Sequence, residues 1–170
     1  MKDNIVLIGM PGCGKSTLGV VLAKSTNRNF VDVDLLIQQK AGKKLHKIIE
    51  DQGLEFFSEL ENSVGASVEA ENSVIATGGS IIFGEDAMAH LKEIGTVVYL
   101  RLPIEVIKKR IRNFATRGIA MKPGETLDDV FAQRSPLYEK YCDIKIDCTK
   151  ASLSKNAVKI AEATGHIKKS

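Results

Sequence analysis

The sequence predicts a three-layer α/β fold in which helices cover both faces of a central parallel sheet of about five strands. The alternation of two kinds of apolar pattern along the chain leads to this prediction. Short apolar runs rich in β-branched residues, such as 5–8 and 96–102, alternate with longer segments whose apolar residues have helical spacing. Such alternation is typical of strand–helix–strand units, in which right-handed crossovers make the strands parallel.

The first half of the chain contains three strand patterns separated by helical patterns. Apolar runs predict strands at 5–8, 30–34 and 74–77, and apolar residues three and four apart predict helices at 14–25, 35–41, 45–53 and 56–71. Gly42 and Gly53 follow two of the helical patterns, at positions where glycine commonly ends a helix.

The second half continues the alternation around one irregular segment. Its patterns predict strands at 96–102 and 143–148 and helices at 85–93, 104–113, 127–140 and 152–163. Pro103 suits the first turn of a helix, whereas Pro136 predicts a kink or break near Ser135. Residues 113–125 have no apolar period and contain glycine and proline, so they predict a mobile lid.

Length and composition narrow the function classes. The 170 residues fit one domain, 1–170, and the net charge of +3 comes from interspersed basic and acidic side chains rather than from a basic face suited to nucleic acid. No apolar run approaches the about 18 residues that span a membrane, and no leader pattern is visible, so we expect a cytoplasmic protein without membrane contacts. We also expect a monomer.

A glycine-rich segment at 9–17 predicts a phosphate-binding loop. It follows a strand, precedes a helix and has the pattern G-x-x-x-x-G-K-S. Its glycines allow backbone N–H groups to surround an anion, Lys15 adds a charge for the β- and γ-phosphates, and Ser16 offers a hydroxyl group to Mg²⁺. The segment therefore predicts binding of a nucleoside triphosphate, with Cys13 as a small loop residue rather than a redox sensor.

Other polar residues should gather near this loop, because ligands of parallel sheets bind at the carboxyl ends of the strands. Asp32 and Asp34 end the second strand and would point to opposite faces if both were extended, one toward Mg²⁺ and one toward an acceptor. Asp34 also suits a helix N-cap. The Gly78-Gly79 turn and Arg101 are also expected on this edge.

Three arginines are candidates for anion contacts. Arg117, in the lid, could cover the triphosphate when the lid closes, or could be a solvated loop residue. Arg134 suits a carboxylate or phosphate, but a surface position is an equal alternative. Arg110 could stack on a nucleobase, or could belong to a solvated basic face.

These motifs together resemble the shikimate kinase family over nearly the whole chain. The shared elements are the loop at 9–17, Phe30-Val-Asp-Val-Asp34 with Ile37, the Gly-Gly turn at 78–79, the strand at 97–100, Arg117, and Arg134-Ser-Pro-Leu-Tyr138. The resemblance implies a P-loop kinase fold and transfer of the γ-phosphate of ATP to the 3-hydroxyl group of shikimate, a small-molecule acceptor, in aromatic amino-acid biosynthesis.

The resemblance also implies roles for particular residues. Lys15, Asp34 and Arg117 would be catalytic, and Ser16 and Asp32 would hold Mg²⁺. Asp34, Gly79 and Arg134 would bind the acceptor. The residues that would bind ATP are Gly12, Cys13, Gly14, Lys15, Ser16, Thr17, Arg110 and Arg117.

Four positions depart from the family pattern. Ser58 replaces an arginine that usually pairs with the shikimate carboxylate, Ser80 replaces the third glycine of the turn, Gln38 replaces a glutamate, and Gly118-Ile119 replaces Pro-Leu in the lid. Three alternatives therefore stay open: a related kinase for another small hydroxy compound, a switch that binds ATP without transfer, and a nucleoside monophosphate kinase, although no second basic cluster for an acceptor phosphate is evident.

Overall fold

A single sheet of five parallel strands, in the order β2-β3-β1-β4-β5, forms the centre of the protein in the computed structural model, which describes residues 2–111 and 118–166. The strands are β1 (Asn4–Ile8), β2 (Asn29–Asp32), β3 (Ser73–Ala76), β4 (Gly95–Arg101) and β5 (Ile144–Asp147). The helices are α1 (Lys15–Ser25), α2 (Val33–Ala41), α3 (Leu45–Ala66), α4 (Glu85–Ile94), α5 (Ile104–Arg110), α6 (Leu127–Tyr141) and α7 (Leu153–Ala163). The predicted fold class and the five strands are confirmed.

The central strands are buried on both faces because helices pack on each side of the sheet. Every residue of β1 and β3 is buried, which explains why 5–8 and 74–76 are continuous apolar runs rather than alternating ones. β1 pairs with β3 on one side and with β4 on the other. The loops that follow β1 and β3 therefore emerge side by side at the carboxyl edge of the sheet.

The second strand is shorter than the sequence predicts, and this changes the position of Asp34. The side chain of Asp32 accepts a hydrogen bond from the backbone N–H of Leu35 at 3.3 Å and caps α2. Because the helix begins at Val33, Asp34 lies in its first turn. The predicted extended pair of aspartates is wrong, and the N-cap is Asp32 rather than Asp34.

The helices lie where they are predicted, but some of their bounds differ. α3 ends at Ala66 rather than at 71, and α5 ends at Arg110, because Ile111, inside the predicted helix 104–113, has an extended backbone. Gly53 has a non-helical backbone inside α3, which agrees with the predicted end of one helical pattern there. Pro136 does not break α6, where the hydroxyl group of Ser135 donates to the carbonyl oxygen of Phe131 at 2.7 Å. A 3₁₀ turn at Ile81–Phe83 has no counterpart in the predictions, because three residues are too few to show a period.

The described part of the lid, 118–125, contains neither helix nor strand. Gly118 has a positive φ of 64° and lies against the start of α3, where a Cβ atom at Gly118 would lie 2.6 Å from the Cβ atom of Leu45. The rest of the predicted lid lies outside the described residues. No described helix combines the length and the apolar character required for a membrane span.

Asn4 links the loop before β3, the start of β3 and the end of α4 at the amino edge of the sheet, and its loss should destabilise the fold. Its side-chain nitrogen donates to the carbonyl oxygens of Ala70 (2.7 Å) and Ile94 (3.0 Å), and its side-chain oxygen accepts from the N–H of Ser73 (2.9 Å). We predict that Asn4→Ala lowers the free energy of unfolding by about 2–4 kcal/mol, since it leaves buried backbone groups unpaired.

Urea denaturation measures this change, and Asn29→Ala is the matched control because Asn29 is exposed on the edge strand. The control should change the free energy of unfolding by less than about 0.5 kcal/mol. Equal stability of the Asn4 variant and the wild type would contradict the prediction.

Candidate active site

A cavity of about 550 Å³ opens at the carboxyl edge of the sheet, where the loops after β1 and β3 meet α2, α3 and α6. It is lined by Pro11, Gly12, Gly14, Lys15, Ser16, Thr17, Asp34, Leu45, Phe57, Glu61, Thr77, Gly78, Gly79, Ser80, Arg110, Gly118, Ile119, Ala120 and Arg134. Most of the residues that the sequence predicts for the nucleotide and the acceptor therefore share one space. Arg101 is not among them: it is exposed and pairs with Asp147 at 3.2 Å.

The glycine-rich loop connects β1 to α1 and has a backbone that only glycine adopts easily. Gly9 has a φ of 151°, and a Cβ atom there would lie 2.9 Å from the carbonyl oxygen of Leu100. Gly14 has a φ of 94° and precedes the first residue of α1. The positive end of the α1 dipole therefore points into the loop, as an anion site requires.

Lys15 is folded back onto this loop. Its ammonium group donates to the carbonyl oxygens of Gly9 (2.8 Å) and Met10 (2.9 Å) and lies 3.6 Å from Sγ of Cys13. Only 7% of Lys15 is exposed. Cys13 is also buried and does not line the cavity, so its side chain packs within the loop.

Ser16 and Asp32 form an oxygen pair beside the loop. The hydroxyl group of Ser16 donates to Oδ2 of Asp32 at 3.0 Å. Two hard oxygen donors suit Mg²⁺, which usually keeps several waters and binds one or two protein oxygens together with substrate phosphates. The described residues contain no group of three His, Cys, Asp or Glu side chains that could hold a metal ion by themselves. The pair thus fits a phosphate-bound Mg²⁺ rather than a resident metal.

Asp34 faces the cavity from the first turn of α2. The pKa of its carboxyl group is raised to about 6, chiefly by burial and also by the neighbouring Asp32, against the opposing effect of Lys15. A Cβ atom at Gly78 would lie 2.7 Å from Oδ1 of Asp34 and 2.8 Å from Oε2 of Glu61, so a side chain here would displace one of the two carboxyl groups. Two carboxyl groups consequently converge above Gly78.

Glu61 is a site residue that the sequence reasoning missed. It lies on the buried face of α3 with Phe57 and Val64, and only 2% of it is exposed. The pKa of its carboxyl group is raised to about 7, chiefly by burial and also by the charge of Asp34, against the opposing effect of the hydrogen bond from Ser80. The sequence does indicate this residue, because Glu61 occupies an apolar position of the helix between Phe57 and Val64. A charged residue on a buried helix face is rare unless it is paired or functional.

Arg134 is buried, so the alternative of a surface residue is wrong. Only 3% of it is exposed, and its guanidinium group stacks 5.6 Å from the ring centroid of Phe83 and donates to the carbonyl oxygen of Ala120. One turn later in α6, the hydroxyl group of Tyr138 donates to the carbonyl oxygen of Gly79 at 2.6 Å. The helix thereby fixes both the arginine and the glycine turn at the acceptor end of the cavity.

Three further predicted positions have different outcomes. Arg110 is exposed and also reaches the loop, where its Nη1 atom donates to the carbonyl oxygen of Cys13 at 3.4 Å. Arg117 lies outside the described residues, so its role stays a prediction. Ser58 is exposed and does not line the cavity, whereas Ser80, the other substituted acceptor position, does.

The comparisons with known proteins agree with this geometry. The family model for shikimate kinase matches residues 11–164. Shikimate kinase 2 from Enterobacter sp. (strain 638) is 36% identical over 154 residues, which are 88% of each chain. The shikimate kinase from Clostridium botulinum (strain Eklund 17B / Type B) is 33% identical over 170 residues, which are 99% of this chain and 97% of the relative.

Solved structures give the same result. The shikimate kinase from Acinetobacter baumannii in complex with shikimate is 31% identical, covers 95% of this chain and 92% of its own, and superposes with a TM-score of 0.85. The similarity in sequence and the similarity in structure both include the phosphate-binding loop, the cavity and α6. The chain therefore belongs to the shikimate kinase family and is a phosphotransferase that uses ATP and acts on an alcohol group.

Proposed function

We propose that the protein transfers the γ-phosphate of ATP to the 3-hydroxyl group of shikimate. The observation that carries the proposal is that one cavity joins Lys15 of the phosphate loop to Asp34 and Arg134, the candidate acceptor residues. The similar kinase from Acinetobacter baumannii, solved with shikimate bound, supports the choice of acceptor. A nucleotide switch would need neither acceptor group.

The phosphates of ATP bind in the loop between β1 and α1. Backbone N–H groups of 12–17 surround the β-phosphate, and the side chain of Lys15 leaves the carbonyl oxygens of Gly9 and Met10 to contact the β- and γ-phosphates. Arg110 lies beside the loop and is close to the nucleotide. These charges neutralise the triphosphate and stabilise the transferred group in the transition state.

Ser16 and, through water, Asp32 would hold Mg²⁺ at the phosphates of ATP. When bound, the ion neutralises charge on the β- and γ-phosphates. The hydrogen bond between Ser16 and Asp32 supports this assignment because it keeps both oxygens at one side of the loop.

The acceptor binds at the other end of the cavity. Asp34 accepts a hydrogen bond from the reacting hydroxyl group and directs its oxygen at the γ-phosphorus, where the new O–P bond forms as the bond to ADP breaks. Arg134 pairs with the carboxylate of the acceptor, and Gly79 contributes a backbone contact. Arg117 would cover the phosphates from the lid.

A second acceptor is favoured by one observation. Ser58, where the family usually has an arginine for the shikimate carboxylate, is exposed and leaves Arg134 to bind that group without the usual second arginine. One charge-assisted hydrogen bond corresponds to about ten- to a hundredfold in affinity. The second candidate is therefore a kinase for another small hydroxy compound. The single-domain, monomeric and cytoplasmic character of the protein stays a prediction from the sequence.

The direct test is to incubate the protein with ATP, Mg²⁺ and shikimate, and in parallel with a panel of small hydroxy acids and alcohols, and to measure ADP formation and the phosphorylated product. We expect transfer to shikimate. Transfer to a panel member but not to shikimate would establish the second candidate instead.

Lys15→Ala should reduce kcat by at least about a thousandfold, because the charge on the transferred phosphoryl group loses its closest protein cation. Steady-state kinetics with saturating ATP measure the loss. Lys24→Ala, an exposed lysine in the last turn of the same helix, is the matched control and should keep full activity. Retained activity of the Lys15 variant would refute the assignment of the phosphate loop.

Ser58→Arg should lower KM for shikimate by about ten- to a hundredfold if the acceptor site is otherwise like that of the family. The added guanidinium group would supply a second cation for the carboxylate. Ser58→Met adds a side chain of similar length without charge and should leave KM unchanged. Identical KM values for the Arg variant and the wild type would favour an acceptor other than shikimate.

The buried carboxyl group of Glu61 should make stability depend on pH. Its pKa is about 7 in the folded protein and near 4.5 when unfolded, so the folded state holds the proton over this window and loses stability as pH rises through it. The free energy of unfolding of the wild type should therefore decrease between pH 5 and pH 8. We predict that this decrease is smaller by a few kcal/mol in Glu61→Gln.

Urea denaturation across that pH range measures the effect, with Glu59→Gln, an exposed position on the same helix, as the control. The control should follow the wild type. A Glu61 variant that still loses as much stability as the wild type would show that this carboxyl group is not buried as described.

A further inference from the structure

Ser80 and Glu61 form a buried pair at the acceptor end of the cavity. The hydroxyl group of Ser80 donates to Oε1 of Glu61 at 2.6 Å, and the two residues are 7% and 2% exposed. The second oxygen, Oε2, has no hydrogen-bond partner among the described residues. The carboxyl group is thus held by one oxygen and left open at the other.

The open oxygen faces the place where the acceptor must lie. A Cβ atom at Gly78 would be 2.8 Å from Oε2 of Glu61 and 2.7 Å from Oδ1 of Asp34, so both oxygens lie close to Gly78. All three residues line the cavity. Since Asp34 is the residue that meets the reacting hydroxyl group, Oε2 lies within reach of a neighbouring substituent of the same molecule.

The charged donors around this oxygen have other partners. Lys15 donates to Gly9 and Met10 in the phosphate loop, and Arg134 donates to Ala120 and stacks on Phe83. Once the carboxyl group is ionised, Oε2 is a buried acceptor without a partner, so the site then requires a hydrogen-bond donor. An alcohol with more than one hydroxyl group supplies such a donor when it binds.

We propose that Ser80 is a positioning residue that holds Glu61 so that Oε2 accepts a hydrogen bond from a second hydroxyl group of the acceptor, next to the one that Asp34 binds. Ser80 thereby contributes to the choice of a polyhydroxy acceptor over a monohydroxy one. The inference rests on the proposed function, because it takes the cavity above Gly78 as the acceptor site. Its effect should appear in KM for the acceptor and not in the use of ATP.

The test compares the wild type with Ser80→Ala, Ser80→Thr and Glu61→Gln, using shikimate and analogues that each lack one hydroxyl group. Ser80→Ala should raise KM for shikimate about tenfold, with kcat and KM for ATP within about twofold of the wild type. Ser80→Thr keeps the hydroxyl group and should restore KM. Ser154→Ala, an exposed serine, is the control for the substitution itself.

The analogues identify the hydroxyl group concerned. One analogue lacks the hydroxyl group that binds Oε2 of Glu61. For this analogue the wild type, Ser80→Ala and Glu61→Gln should have the same KM, because its complex never contains that hydrogen bond. The inference is overturned if Ser80→Ala leaves KM for shikimate unchanged, or if it raises KM by the same factor for every analogue.

A measurement without acceptor separates this inference from the proposed function. Because Ser80 lowers the pKa of Glu61, Ser80→Ala should move the pH dependence of unfolding to higher pH. If shikimate is not phosphorylated, the proposed function fails, and the kinetic test is then made with the panel member that is. If the pH dependence of unfolding is the same with and without the Ser80 hydroxyl group, the pair does not exist and the inference fails whatever the acceptor is.

Discussion

The parallel pairing of β1 with both β3 and β4 is the interaction on which the site depends. Leu7 lies opposite Ala76 of β3 and Val98 of β4, and this register brings the phosphate loop and the turn after β3 to one edge of the sheet. Thr77 strengthens the alignment, since its hydroxyl group donates to the carbonyl oxygen of Leu7 at 2.8 Å. A shift of one residue would exchange the faces of the strand and separate the loop from the acceptor turn.

The phosphate-binding half of the site could be predicted from the sequence because it is made of neighbouring residues. The spacing of Gly9, Gly14 and Lys15 defines a backbone shape almost by itself, and the preceding apolar run supplies the strand that presents it. The strand order could not be read in the same way. The strand order depends on which faces of α1 and α3 pack against the sheet, and this is decided by tertiary contacts rather than by local sequence.

The acceptor half was predicted less completely because its parts come from separate elements. Asp34 was identified, but with the wrong local structure, since a side-chain cap at Asp32 started the helix earlier than the apolar pattern indicates. Glu61 was missed because propensity treats a glutamate in an amphipathic helix as solvent-facing. Its burial follows from contact with Ser80, which is 19 residues further along the chain.

The contact between Gly118 and α3 has a consequence for how the lid can vary within the family. Its positive φ of 64° lies on the opposite side of the conformational map from the value near −65° that a pyrrolidine ring imposes. The proline usually found at this point in the family is thus incompatible with the backbone path taken here. A proline introduced at this position would therefore require the chain to move away from Leu45 at the start of α3.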